Sequence, residues 1–388
     1  MQKLALFLSI LVLVSCKNSE VLFGQGAVSK KNEQPVSLPV EIYRNLIFVP
    51  VEIDGKTYRF LFDSGAPMVV SKELRESLAM KIEKRSPVRD SQGKVAYQNY
   101  VRMPRFSIGG EEFRNFVAIE ADLRFSPLLN CLNFDGIIGA NLMQFKYWEM
   151  NVRDSLLLMS NTKDHWSLEG ERSYRIPFQT KTTRTPVIQL PINGFRVKNI
   201  TFDTGSTGVL SLAKDEAGPL LKGQEAYFRR QGFLSGGLYG SKADTAEEYQ
   251  VNFDFPDTNF TFPLEVAYGK DSRLLGMSFL SQFRVFIDYP AQEILLQPIA
   301  SYTANPLWPV SPYFNGKIIV GQTNTLLERS RIDIALGDTI IACNGVDYND
   351  ATKDDYCQII EQFSTGADSL NLTIKGKGDF MIFRESVY

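Results

Sequence analysis

Two stretches of this chain share one plan, and that repetition constrains the fold more than any other feature. "LIFVPVEIDGKTYRFLFDSGAPMVVS" (46–71) and "TPVIQLPINGFRVKNITFDTGSTGVLS" (185–211) each hold an apolar strand, a turn at Asp54-Gly55 or Asn193-Gly194, and a second strand. The second strand runs into Asp-Ser-Gly at residue 63 and Asp-Thr-Gly at residue 203. Asn-Gly and Asp-Gly are hairpin signals because both residues tolerate the positive φ of a tight turn. A further pair follows, "DGIIGANLMQFKYWEMNVRDSLLLM" (135–159) and "SRLLGMSFLSQFRVFIDYPAQEILLQ" (272–297). Each is apolar-apolar-Gly, a short helix-like stretch, a strand, a turn and another strand. Asp63 to Gly139 is 76 residues and Asp203 to Gly276 is 73, so two halves 140 residues apart repeat the same landmarks in order.

One Asp-Ser/Thr-Gly tripeptide carries little weight, since ordinary residue usage gives about 0.2 per chain of this size. Two of them, each closing an apolar strand and each followed at matched distance by apolar-apolar-Gly, are specific. On "FDSGA" with "GIIGANL" and "FDTGS" with "RLLGMSFL", the chain resembles the aspartic peptidases of the pepsin and retropepsin superfamily over roughly residues 40–300. The resemblance implies a mainly β, bilobal fold, with lobe 1 at 39–165 and lobe 2 at 166–300. It also implies that Asp63 and Asp203 are catalytic. Two carboxylates about 3 Å apart cannot both ionise and so share one proton, one activating water while the other polarises the carbonyl.

Around them, Gly65 and Gly205 let the backbone turn tightly. In the family, the hydroxyls matching Ser64 and Thr204 hydrogen-bond across the lobe interface. Ser206 matches a position that hydrogen-bonds the outer carboxylate oxygen, and its counterpart is Ala66. The segments Ile137-Ile138-Gly139 and Leu274-Leu275-Gly276 are expected to support the loops from beneath, and Asp135 reads as a turn residue. The family's flap hairpin falls at "VRDSQGKVAYQNYVRM" (88–103), with its turn at 90–93 and Tyr97 or Tyr100 as its aromatic, although a surface strand is an equal reading of either tyrosine. "FLSGGLYGSKADTAEEY" (233–249) is Gly-rich and reads as a specificity loop, and "FDFPDTNFTF" (253–262) as a turn rather than a calcium loop.

Other chemistries are poorly served. His165 is the only histidine, placed in an inter-lobe connection where solvation is the ordinary expectation, and it cannot alone build a Ser-His-Asp, Cys-His or multi-His zinc site. No metal and no cofactor is expected. The formal charge of −2 supplies no basic surface for nucleic acid.

After a Pro-rich junction at 304–312 the chain resembles a bacterial PDZ domain over 305–388. The landmarks are a strand at 318–320, "IALGD" at 334–338, a strand at 339–342 closed by Asn344-Gly345, a helix at 352–363 and two further strands. The resemblance implies capture of a peptide as an added strand. A small structural domain packed on lobe 2 is the equal alternative.

The N-terminus, "MQKLALFLSILVLVSC", has one Lys, an apolar run at 4–14 and Ser15-Cys16. It is too short for a comfortable membrane span and has the shape of a secretory signal. Its close resembles a lipobox, which implies a signal peptide at 1–15, lipidation of Cys16 and a tether at 16–38. The expected place is then the bacterial cell envelope, lipid-anchored and facing the periplasm or the exterior. Besides Cys16 there are Cys131, Cys343 and Cys357, of which Cys343 and Cys357 are the plausible pair, with a buried free thiol as the alternative for each. The expected partners are an extended peptide or protein substrate, a peptide ligand for the PDZ-like module, and the membrane. The competing function is a peptide-binding lipoprotein whose cleft holds without cutting.

Overall fold

The computed structural model describes residues 21–29, 34–90, 93–166, 172–255, 258–269, 273–300, 306–326 and 332–385. The signal, Cys16 and part of the tether lie outside these, as do Ser91 and Gln92. The chain is mainly β, and the described strands fall into sheets of 11, 15 and 4 strands.

Both repeats begin as the sequence pattern requires. Strands Leu46–Ile53 and Lys56–Asp63 pair antiparallel across Asp54-Gly55, and Pro186–Ile192 pairs with Phe195–Phe202 across Asn193-Gly194. All four turn residues have φ between 48° and 76°, the left-handed values that a two-residue hairpin demands. Alternation then sorts the side chains. Phe60 and Phe62 point into one core, as do Ile200 and Phe202 of the second repeat, all fully buried.

The Gly-containing segments complete each repeat in the same way. Gly136–Gly139 lies parallel to Phe60–Asp63 and antiparallel to Val69–Val70. Leu274–Leu275 lies parallel to Thr201–Phe202 and antiparallel to Leu210–Ser211. A strand inserted between two others fixes the loop that joins those two, here 64–68 and 203–209. The halves are then joined by pairing of Tyr147–Asn151 with Phe283–Asp288, so the 15-strand sheet runs through both.

The C-terminal segment has its own core of Ile340, Ile359, Leu370, Leu372, Ile374 and Ile382. Its helix, Lys353–Ser364, starts at a Thr352–Asp355 capping box, and it buries Tyr356, Ile359, Ile360 and Phe363 on one face. Two of its strands, Val310–Phe314 and Ile318–Leu326, extend the 15-strand sheet, because Phe228–Gly232 pairs with residues 322–326.

The cysteine pairing differs from expectation. Cys131 and Cys357 form the disulfide, their Cα atoms 5.1 Å apart, and Cys343 is a buried free thiol. Cys343 points from its strand into the C-terminal core, where burial pushes its thiol up to about 11. Cys357 lies on the flank of the helix Lys353–Ser364, against the helix Pro127–Leu132 of the first half. That flank also receives Arg44, which donates to the Ile360 carbonyl at 3.1 Å and to Ser364 Oγ at 2.8 Å.

His165 also departs from expectation. Its side chain is only 16% exposed, beside Trp166, with Nε2 3.7 Å from a Glu149 oxygen. Desolvation lowers its pKa.

Candidate active site

The two Asp-Ser/Thr-Gly loops meet. Ser64 N–H donates to Thr204 Oγ1 at 2.9 Å, and Thr204 Oγ1 donates to the Phe62 carbonyl at 2.9 Å. The reverse pair is the same: Thr204 N–H donates to Ser64 Oγ at 3.1 Å, and Ser64 Oγ to the Phe202 carbonyl at 2.8 Å. Both residues are 0% exposed, so these four bonds replace water completely.

The same approach brings the carboxylates together. A Cβ placed on Gly65 would lie 2.7 Å from Oδ2 of Asp203, and one on Gly205 would lie 2.7 Å from Oδ1 of Asp63. Each glycine therefore leaves room for the opposite aspartate, a role beyond the turn flexibility assigned from sequence. Gly65 and Ala66 N–H groups donate to Asp63 Oδ1 at 2.8 and 3.1 Å, and Gly205 N–H donates to Asp203 Oδ1 at 2.9 Å.

Asp63 is held well above the ordinary aspartate range. Burial is the largest cause, the charge of Asp203 the next, and a side-chain hydrogen bond with Asp203 adds to both. The Gly65 and Ala66 N–H groups oppose this without reversing it. Such a pair can hold one proton between two carboxylates.

Ala66 and Ser206 occupy matching places. The Ala66 carbonyl accepts from Ala140 N–H, and the Ser206 carbonyl accepts from Met277 N–H, both at 2.8 Å. Asp135 binds main chain, accepting from Arg59 N–H at 2.8 Å, as suits a turn residue.

The flap-positioned hairpin is Ile82–Arg89 with Val95–Arg102. Tyr97 on it is 65% exposed, whereas Tyr100 is buried with its ring 5.6 Å from Phe23. Opposite stands the Gly-rich segment, a long hairpin of Phe228–Gly237 and Gly240–Phe255. Its tip reaches the flap-positioned hairpin. Tyr239 N–H donates to Asp90 Oδ2 at 3.0 Å, Tyr239 OH to the Val88 carbonyl at 3.3 Å, and Lys94 Nζ to the Tyr239 carbonyl at 3.1 Å. Leu238 packs against the apolar cluster that contains Leu61 and Ile137. Sequence reasoning missed this bridge, because an Asp, a Lys and a Tyr in two turns carry no periodic signal.

Lys181 was missed too. It lies in the turn between Tyr174–Thr180 and Pro186–Ile192, and its Nζ donates to Thr201 Oγ1 at 2.8 Å. From the same turn, Thr185 Oγ1 donates to the Gly65 carbonyl at 3.3 Å.

Residues 49–142 match a family model described as aspartyl protease. The matched segment holds Asp63, the flap-positioned hairpin and Gly139, and it supports an aspartic protease family and a hydrolase. The match ends before Asp203. No curated protein matches the chain.

Proposed function

We propose that the chain is a membrane-anchored aspartic endopeptidase of bilobal, pepsin-like build, hydrolysing peptide bonds with water activated between Asp63 and Asp203. The observation that carries this is the reciprocal meeting of the two loops, in which each glycine is opened toward the other half's carboxylate. The ionised member of the pair takes a proton from water as water attacks the peptide carbonyl, and the protonated member donates to the carbonyl oxygen. The proton is then passed to the leaving nitrogen, which returns the pair to its singly protonated form. The N–H groups on Asp63 and Asp203 fix both carboxylates in position, so little reorganisation is needed during reaction. One chain supplies both halves, so no second copy is required.

The test is digestion of a peptide library from acid to neutral pH by the wild type and by Asp203→Ala. Cleavage by the wild type alone is expected. Cleavage that persists in the variant would remove the assignment, and peptide binding without any cleavage would favour a holding role.

The C-terminal segment is read as a PDZ-like module. The disulfide to the Pro127–Leu132 helix and the strand pairing to Phe228–Gly232 favour a brace between the two halves over a free peptide receptor. Tyr356 OH also donates to the Pro312 carbonyl at 3.5 Å, across the space between helix and strand. The N-terminal pattern supports lipidation at Cys16 and a place in the bacterial cell envelope. Loss of the chain from the membrane fraction on Cys16→Ser checks that reading.

A further inference from the structure

The two sides of the carboxylate pair differ in chemistry. Strand alternation places residue i−2 on the same face as i. Leu61 therefore shares a face with Asp63, and Thr201 shares one with Asp203. On the first side Leu61 pairs in register with Ile137, and both belong to the apolar cluster that Ala66, Val88 and Leu238 pack against. On the second side Thr201 pairs with Leu274, and the Thr201 hydroxyl carries the Lys181 ammonium at 2.8 Å. The repeat thus preserves the backbone and changes the flanks, apolar beside Asp63 and cationic beside Asp203.

Lys181 keeps part of its surface open to solvent while its ammonium is partly desolvated, and among the described residues no carboxylate lies within ion-pair distance of it. An ammonium has three N–H donors, and one is used on Thr201. Its position near the pair is also felt electrostatically: burial lowers the Lys181 pKa and the charge of Asp203 raises it, with burial the larger effect. A cation held by one hydrogen bond at the edge of a peptide-binding site is suited to an incoming anion.

We propose that Lys181 is a specificity-determining residue that binds a peptide carboxylate on the Asp203 side of the scissile bond, while the Leu61 and Ile137 side takes an apolar residue. This rests on the proteolytic reading above. The carboxylate can come from an Asp or Glu side chain or from the substrate's C-terminus, and the two sources would make the enzyme respectively acid-selective or end-selective.

The experiment uses the whole chain and three peptide sets that share one apolar flank. The first has Asp or Glu on the other flank, the second has Gln or Leu there with an amidated terminus, and the third is the second with a free terminus. Wild type should cleave the first or third set with kcat/KM roughly tenfold above the second, the discrimination expected of one charge-assisted hydrogen bond at a partly solvated site. Lys181→Met should lose that preference by losing rate on the anion-bearing sets far more than on the second set, and Lys181→Arg should retain it. Lys181→Glu should reverse it toward Lys-bearing peptides.

Equal loss on all three sets, with a shifted pH profile, would show that Lys181 acts only through Asp203, and would overturn the proposal. So would a wild type indifferent to the flank. Should wild type cut nothing, the proteolytic reading fails. Affinities of Asp63→Asn, with and without Lys181→Met, for the same peptides then decide on Lys181 alone.

Discussion

Thr204→Val is the sharpest test of how the two halves are held in register. Valine keeps the volume and the β-branch of threonine and removes only the hydroxyl. That hydroxyl accepts from Ser64 N–H and donates to the Phe62 carbonyl, both at 2.9 Å. The Ser64 N–H would be left buried without an acceptor, at a cost of about 1–3 kcal/mol. The Phe62 carbonyl loses one bond, about 0.5–1.5 kcal/mol more. The sum is about 1.5–4.5 kcal/mol, and backbone relaxation to recover a partner would draw the loops apart and displace Asp63 from Asp203. Thr204→Ser keeps both bonds and loses only a buried methyl, so it should cost about 1 kcal/mol and leave kcat near wild type.

The assay is urea unfolding of the whole chain, with kcat measured on the best peptide from the library. Thr204→Val should lower the midpoint at unchanged slope and reduce kcat far more than it raises KM. A Thr204→Val protein as stable and as active as wild type would refute the reasoning, because the two buried bonds of the Thr204 hydroxyl would then contribute nothing to the junction.

Two further outcomes are expected. Burial and Asp203 raise the Asp63 pKa in the fold, so the folded state binds a proton that the unfolded state has released. Wild-type stability should therefore fall as pH rises from about 4, the ordinary aspartate value, up to the raised value, and be flat above it. Asp63→Asn, which cannot ionise, should match wild type below about pH 4 and exceed it at neutral pH, as read from melting temperatures across pH; a variant less stable at neutral pH contradicts this. The Cys131–Cys357 bond closes a loop with a sequence separation of 226, so its removal by Cys131→Ser with Cys357→Ser should cost about 2–5 kcal/mol. Peptide mapping without reduction should join 131 to 357 and leave Cys343 free, and a 343–357 cross-link would contradict the structure.

The duplicated plan, both hairpin turns and both aspartates were legible from sequence because each depends on local chemistry. Asp54-Gly55 and Asn193-Gly194 set the turns, and alternation set which face of each strand is buried. The helix Lys353–Ser364 was legible for the same reason, since Thr352 and Asp355 cap it locally. The pairing of Cys131 with Cys357 was not. Nearness in sequence favoured Cys343, but that side chain points from its strand into a core, and the direction depends on how distant segments pack. The links from Tyr239 to Asp90 and from Lys181 to Thr201 were hidden in the same way. They join residues 149 and 20 positions apart, and no periodicity marks them. Sequence determined that two acidic loops exist and what backbone each would adopt. Only the tertiary structure decided that they face each other through Gly65 and Gly205, and that their flanks differ in charge, because those depend on contacts between segments that share no local signal.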